Sequence, residues 1–373
     1  MKIDSIYIHI PFCEKKCAYC DFVSLPQNKW EGIFDSYPHL LRRELELWDD
    51  DLDFSPLKTI YFGGGTPSLL SPDDVSSLLS LFPKAEEITL EANPDSLNEE
   101  KAHAFLQAGA NRLSLGIQSF DDNLLHAMGR VHNSELAKKS LAEARAAGFG
   151  NIGIDLIYGL PEQSLDMWRA DIESAITLAP QHMSLYCLSL SEITPWGLQK
   201  QKGELALPSD DTAADMFELA RDLLEQAGFR HYEIANFAKP GYESSHNTAY
   251  WQRKNYLGLG AAAASCIAEH RWVNSRDVVE YAEAIENKLL PIIEEEVLNI
   301  DQVIAEAIFL GLRLMDGIDF AAFEKQYGLD PRKRFRRQIS KLTKEGLLEA
   351  DEKGMRLTRK GVLLGNRAFE QFV

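Results

Sequence analysis

Cys13–Glu14–Lys15–Lys16–Cys17–Ala18–Tyr19–Cys20 places three thiols within eight residues, spaced C-x3-C-x2-C. It follows directly on the apolar run Ile6–Tyr7–Ile8–His9–Ile10 and on Pro11–Phe12. The apolar run predicts a strand, and Pro11, which has no amide proton, ends its ladder. The loop beyond therefore presents three soft ligands past a strand end. Three thiolates can hold three corners of an iron–sulfur cluster, where four protein ligands are usual. One iron would then stand open to a small molecule, as a catalytic metal site needs. Two other readings stay beside this one. A structural zinc site wants four ligands, commonly two C-x2-C pairs. Cys187 and Cys266 are isolated in apolar runs and read as core cysteines, and His9 is an awkward fourth ligand. Unmetallated thiols are the third reading. A disulfide framework fails, because five cysteines in 373 residues are sparse and odd in number.

Outward from the loop, the chain repeats one cadence. An amphipathic helix is predicted over Tyr37–Trp48, then a strand at Lys58–Phe62 running into Gly63–Gly64–Gly65–Thr66–Pro67. Ser71–Pro72 caps a helix to about Phe82, Ile88–Ala92 is a strand, and a helix from Glu99 stops at Gly109. Strands at Arg112–Ile117, Ile152–Tyr158 and His182–Cys187 alternate with helices at Glu135–Ala147 and Trp168–Leu178. Six such steps imply parallel strands with right-handed crossovers, either a doubly wound sheet or a full or partial (β/α) barrel. Both put chemistry at the carboxyl ends of strands. Those ends hold the cysteine loop, the triple glycine, Glu91, Gln118 and Gly159–Pro161.

The remainder is less regular. A helix is predicted over Asp211–Gln226, and Leu257–Ser265 (LGLGAAAAS) has the small residues of a tightly packed backbone. Lys288–Asn299, with its glutamates and Pro291, reads as a linker between a first domain, residues 1–290, and a second, residues 300–373. The second carries helices at Val303–Met315, Phe320–Tyr327 and Arg332–Glu345 and a hairpin around Lys353–Gly354, a winged-helix-like pattern. Arg332–Arg337 is rich in cations, which fits a DNA contact or a solvated basic face. The net charge of −18, from 39 basic and 57 acidic residues, argues for the solvated face and against nucleic acid as a partner. Apolar residues at 45% and charged residues at 26% suit a globular protein. No charged segment leading an apolar run begins the chain, and no run nears the length of a membrane span. A reducing cytoplasm is the expected compartment.

The triple glycine lets backbone amides approach a ligand, or is simply a tight turn. It lacks the spacing of a dinucleotide fingerprint and the lysine of a P-loop. Glu91 can accept from an ammonium group, and Arg130 can pair a carboxylate. Asp155 is an acid in an apolar strand and needs a partner there.

His9–Ile10–Pro11–Phe12–Cys13 through Cys20–Asp21–Phe22 resembles the radical S-adenosylmethionine (SAM) superfamily. More narrowly it resembles the HemN/HemW branch, which holds anaerobic coproporphyrinogen dehydrogenases and heme chaperones. Gly63–Pro67, Glu91–Ser96, Gly116–Phe120, Arg130 and Asp155–Pro161 match that branch too. The resemblance implies an α/β fold, a partial (β/α)6 TIM-like barrel followed by the small winged-helix-like domain. It implies a [4Fe–4S] cluster on Cys13, Cys17 and Cys20. It also implies a SAM site lined by Tyr7, Tyr19, Gly64, Gly65, Thr66, Glu91, Gln118, Arg130 and Asp155. Reduction of the cluster cleaves SAM in that superfamily.

Two departures separate the chain from the dehydrogenases. Phe22 stands where they have a further cysteine, and the sequence starts at its first strand without their longer N-terminal region. Conversely, His246–Asn247–Thr248–Ala249–Tyr250–Trp251 matches the HNxxYW motif associated with heme binding in the chaperones. Without the resemblance His246 reads as a core histidine among aromatics; with it, as a heme ligand. The expected function is a heme chaperone with heme, acceptor hemoproteins and an electron donor as partners. A coproporphyrinogen dehydrogenase is the first alternative, and a zinc-bearing winged-helix regulator is the second.

Overall fold

The computed structural model describes residues 1–48 and 52–373. Six parallel strands come in chain order: β1 Ser5–Ile10, β2 Thr59–Gly64, β3 Glu87–Ala92, β4 Arg112–Gln118, β5 Ile152–Tyr158 and β6 His182–Cys187. They are buried along nearly their whole length, as parallel strands covered on both faces are. Helices α1 Glu31–Leu47, α2 Pro72–Leu79, α3 Glu99–Ala108, α4 Asp122–Met128, α5 Ser134–Ala146 and α6 Leu165–Thr177 lie in the crossovers. Their starts follow the caps in the sequence: Ser71 accepts from the Asp74 amide, Asn98 from Lys101 and Ser164 from Met167.

The sheet does not stop at six strands. Beyond β6 come β7 Arg230–Glu233 and β8 Asn236–Ala238, preceded by α7 Pro195–Gln201 and α8 Asp210–Gln226. After α9 Ser245–Trp251, strand β9 Tyr256–Leu259 joins the other side, parallel to β1. Strands β10 Ala264–Ile267, β11 His270–Asn274 and β12 Ile292–Val297 extend it antiparallel. The order is β12-β11-β10-β9-β1-β2-β3-β4-β5-β6-β8-β7, twelve strands with two open edges, so the barrel is partial.

The stretch read as a linker, Lys288–Asn299, instead holds β12 as an edge strand after α10 Val278–Glu286. Its glutamates 294–296 are exposed, which is how edge strands avoid further pairing. The small-residue stretch lies at the β9–β10 corner. A Cβ on Gly258 would meet Ala264 O at 2.2 Å, and one on Gly260 (φ +100°) would meet His9 O at 2.6 Å.

The C-terminal part comprises α11 Ile300–Gly311, β13 Ile318–Asp319, α12 Phe320–Tyr327, α13 Pro331–Arg334, α14 Arg336–Lys344, β14 Leu348–Ala350, β15 Gly354–Leu357, α15 Arg359–Leu363 and α16 Gly365–Phe369. Helices α11, α12 and α14 with the β14–β15 hairpin reproduce the winged-helix-like pattern, with β13 on the hairpin's far side. One buried apolar cluster runs from Ile3 to Phe372 without a break between the two parts. Arg359 pairs with Glu218 and Asp222 of α8 across their boundary.

Candidate functional site

The carboxyl ends of β1–β6 open on a cavity of about 380 Å³. The cysteine loop forms one wall, and three neighbours pin it. Gly65 N donates to Ile10 O (2.9 Å) and Thr66 N to Phe12 O (2.7 Å), tying it to the end of β2. Ala18 N donates to Met128 O and Trp196 N to Ala18 O (both 3.0 Å), tying it to α4 and α7. Behind it, His9 Nε2 donates to Val23 O (3.0 Å), which leaves Nδ1 to accept from Tyr7 OH (2.9 Å). Both ring nitrogens are thus engaged, and His9 has none free to complete a zinc set. Gly65 is required here, because a Cβ on it would sit 2.5 Å from Phe12 O.

Cys13, Cys17 and Cys20 are free thiols lining this cavity together. Thr66 Oγ1 donates to Cys13 Sγ (3.4 Å) and Arg130 Nη1 to Cys17 Sγ (3.7 Å). Burial pushes the Cys13 and Cys20 thiols up, so thiolates there call for a cationic centre. No group of three His, Cys, Asp or Glu among the described residues is arranged around a single ion. Three thiols on one cavity wall are the donor set that an iron–sulfur cluster takes.

Opposite the loop, Glu91 accepts from Tyr61 OH (2.7 Å) and from the Gly64 amide (3.2 Å). Burial raises its pKa to about 7, and nearby Asp155 adds to the rise. Burial likewise raises the Asp155 carboxyl, although Ser114 Oγ donates to both its oxygens (3.2 and 3.1 Å). Arg130 Nη2 donates to Asn93 Oδ1 and to Gly116 O, each at 2.7 Å. Its Nε is buried with no acceptor. That orphan donor, two carboxylates and three thiols at one mouth are what a charged ligand bearing both amine and carboxylate would satisfy.

Eight of the nine residues expected around SAM line this cavity: Tyr19, Gly64, Gly65, Thr66, Glu91, Gln118, Arg130 and Asp155. Gln118 does so from a left-handed backbone, φ +69°. Tyr7 does not; it lines a second cavity of about 660 Å³, which shares Asp21 and Phe22 with the first. Sequence reasoning missed Asn93, which joins Arg130 to Thr66 through Nδ2 to Oγ1 at 2.9 Å. It also misread Cys187, which is exposed at this mouth rather than in the core. The apolar neighbours that suggested a core, such as Leu188, are themselves cavity wall. Cys266 is buried as expected.

His246 lies on α9, whose first amides, Ser245 N and His246 N, donate to Glu87 (3.0 and 3.1 Å). Its ring stacks on Tyr61 at 4.9 Å, with Nδ1 bonded to Thr59 Oγ1 (2.7 Å) and Nε2 to Tyr250 OH (2.9 Å). Burial, then Arg112, lowers its pKa to about 3, so the ring is neutral. In this heme-free conformation both ring nitrogens are engaged inside the barrel, and a bond to a heme iron would need one of them released. Tyr250 and Trp251 of the same motif do reach the second cavity.

The family model described as "Radical SAM superfamily" matches residues 7–175, and the one described as "HemN C-terminal domain" matches residues 279–364. A Lactococcus lactis protein described as "Heme chaperone HemW" is 38% identical over 100% of this chain and 98% of its own. A Bacillus subtilis protein of the same description is 38% identical over 99% of both chains. The Bos taurus "Radical S-adenosyl methionine domain-containing protein 1, mitochondrial" is 34% identical over 96% of this chain and 84% of its own. Among solved structures, Escherichia coli coproporphyrinogen III oxidase (HemN) superposes with a TM-score of 0.82, covering 99% of this chain and 89% of that one. At 24% identity that likeness speaks for the fold.

Proposed function

The chain belongs to the radical SAM superfamily, and from that membership we propose that it is a heme chaperone, binding heme and passing it to acceptor hemoproteins. The observation that carries the reading is identity of 38%, over essentially the full length, to proteins described as heme chaperones. Phe22 agrees with it, since no fourth thiol follows the triad.

Cys13, Cys17 and Cys20 would hold a [4Fe–4S] cluster, with the Thr66 hydroxyl and the Arg130 guanidinium donating to its sulfur ligands. SAM would lie against Glu91, Gln118, Asp155 and the free Nε of Arg130. Bound together, the cluster and SAM supply one-electron chemistry. The chain's own part is positioning. Glu91, held by Tyr61 and the Gly64 amide, would accept from the ligand's ammonium; Arg130, fixed by Asn93 and Gly116 O, would donate to its carboxylate. The reading entails an electron donor for the cluster and a reducing cytoplasm, and among the described residues no helix is long and apolar enough to cross a membrane.

The test is to offer the cluster-loaded protein coproporphyrinogen under anaerobic reducing conditions with SAM, and separately to titrate it with hemin. The reading expects saturable hemin binding and no vinyl-group formation. Sustained conversion to protoporphyrinogen would make the chain a dehydrogenase instead.

A further inference from the structure

Gly153 interrupts the buried strand β5, although its φ lies outside the left-handed region and its backbone does not call for glycine. Such a glycine weakens a strand and marks a place where something else approaches closely. Its neighbours in register are Ser114 on β4 and His182 on β6. A Cβ at Gly153 would stand 3.3 Å from His182 Nδ1 and 3.5 Å from both Arg112 Nη2 and Ser114 Oγ. Three polar atoms from the two flanking strands thus converge on one point inside the barrel. Strand alternation puts Arg112 one step below this row and Asp155 one step above it, at the thiol cavity.

Two of these groups are donors without an acceptor. Tyr232 OH accepts from Ser244 N (3.2 Å), so its proton goes to His182 Nε2 (2.8 Å) and the ring's own proton stands on Nδ1. Burial, then Arg112, keeps that ring neutral. His182 Nδ1 and Arg112 Nε are both buried with no partner among the described residues. Arg112 is 2% exposed, forms no ion pair among the described residues, and donates to Thr89 Oγ1 at 3.5 Å. A guanidinium so buried calls for further acceptors. Ser114 gives its proton to Asp155 and keeps a lone pair free to accept. Two donors and one acceptor around a space the size of one atom suit water, which makes about three hydrogen bonds where it is buried. An anion would instead meet the Ser114 lone pair, with the Asp155 and Glu87 carboxylates near enough to act on Arg112.

We propose that a buried water sits over Gly153, accepting from His182 Nδ1 and Arg112 and donating to Ser114 Oγ, and that through it Arg112 is a positioning residue for Asp155. The relay polarises the Ser114 hydroxyl toward Asp155 and keeps that carboxylate an acceptor for the ligand of the thiol cavity. This role presupposes the SAM site of the preceding reading and deepens it. The other titratable or charged groups facing Asp155 are Glu91 from β3, Tyr61 from β2, Tyr186 from β6 and Arg130 across the cavity. Of these, Glu91 also titrates near neutrality, burial having raised it to about 7, so the test must separate it from Asp155.

The experiment measures the SAM affinity of the full cluster-loaded chain across the acid and neutral range, for wild type, Gly153→Ala, Asp155→Asn and the double variant. The alanine methyl takes the water's place, and alanine otherwise suits a strand better than glycine does. Gly153→Ala is expected to move the acid limb of SAM binding up by about one pH unit, while the affinity on the alkaline side stays within about twofold of wild type. Asp155→Asn keeps an acceptor oxygen but no proton equilibrium, and in that background Gly153→Ala is expected to leave the acid limb, then set by Glu91, where it stands. A crystal structure of the wild-type chain is expected to show density at about 3 Å from His182 Nδ1 and Ser114 Oγ. Absence of that density, or an unmoved acid limb in Gly153→Ala, would overturn the relay while leaving the SAM site intact. An equal shift in both backgrounds would overturn action through Asp155. A wild-type chain that fails to bind SAM would overturn the site and the relay together.

Discussion

At the scale of single residues, His246 illustrates how burial decides between two roles for one side chain. The motif points to a ligand, while in the heme-free chain 1% exposure and bonds from both ring nitrogens to Thr59 and Tyr250 make it part of the barrel's interior packing. His246→Ala is therefore expected to lower the stability of the heme-free chain by about 2–4 kcal/mol, from a cavity plus stranded hydroxyls. Denaturant unfolding of the apoprotein measures this, and a heme-free stability equal to wild type would return His246 to the role of a free ligand. The three cysteines were legible in the sequence as a ligand set, while their spacing left zinc and unmetallated thiols open and only the resemblance implied a [4Fe–4S] cluster. Asn93 was not. Its role comes from a contact to Arg130, 37 positions away, that no local pattern announces.

At the scale of elements, the six parallel strands could be read because each is an apolar run ending in glycine, proline or a polar residue. The antiparallel extension could not. Strand β12 (Ile292–Val297) is exposed nearly throughout and carries three glutamates, so its pairing with β11 leaves no alternation to read. What locks that extension to the barrel is Glu44 of α1. It accepts from Gly260 N (2.7 Å), Tyr281 OH (2.7 Å) and Asn274 Nδ2 (2.6 Å), joining α1 to the β9–β10 corner, β11 and α10. Burial raises its pKa from 4.5 to about 7 despite these donors. A carboxyl raised on folding binds its proton more tightly in the folded state. Its contribution is whole below pH 4.5 and is lost as the pH rises through about 7. Glu44→Gln should remove about 3 kcal/mol of pH dependence across that window. Urea midpoints for wild type and variant from pH 4 to 8 would converge as the pH rises; parallel curves would contradict the assignment.

At the scale of the whole molecule, two cavities share one partition. Asp21 and Phe22, the residues just after the last cluster cysteine, line both. The carboxyl ends of β1–β6 build the thiol cavity, and β1, α9, β9, the antiparallel strands β10 and β11, and α11 together line the second. The first was legible because the cysteine triad, the triple glycine, Glu91 and Gln118 stand at or near strand ends and line it together. Of the second, only Tyr250 and Trp251 stand in a motif; its alanines and its cations Arg253, Lys254, Arg271 and Arg276 are brought together by the fold. The direct test is transfer: the cluster-loaded chain, charged with one equivalent of hemin under anaerobic reducing conditions, is mixed with an apo-hemoprotein and followed by absorbance. The account predicts that the acceptor's holo spectrum grows as the donor's fades. Heme retained by this chain, or lost to solution without reaching the acceptor, would contradict it.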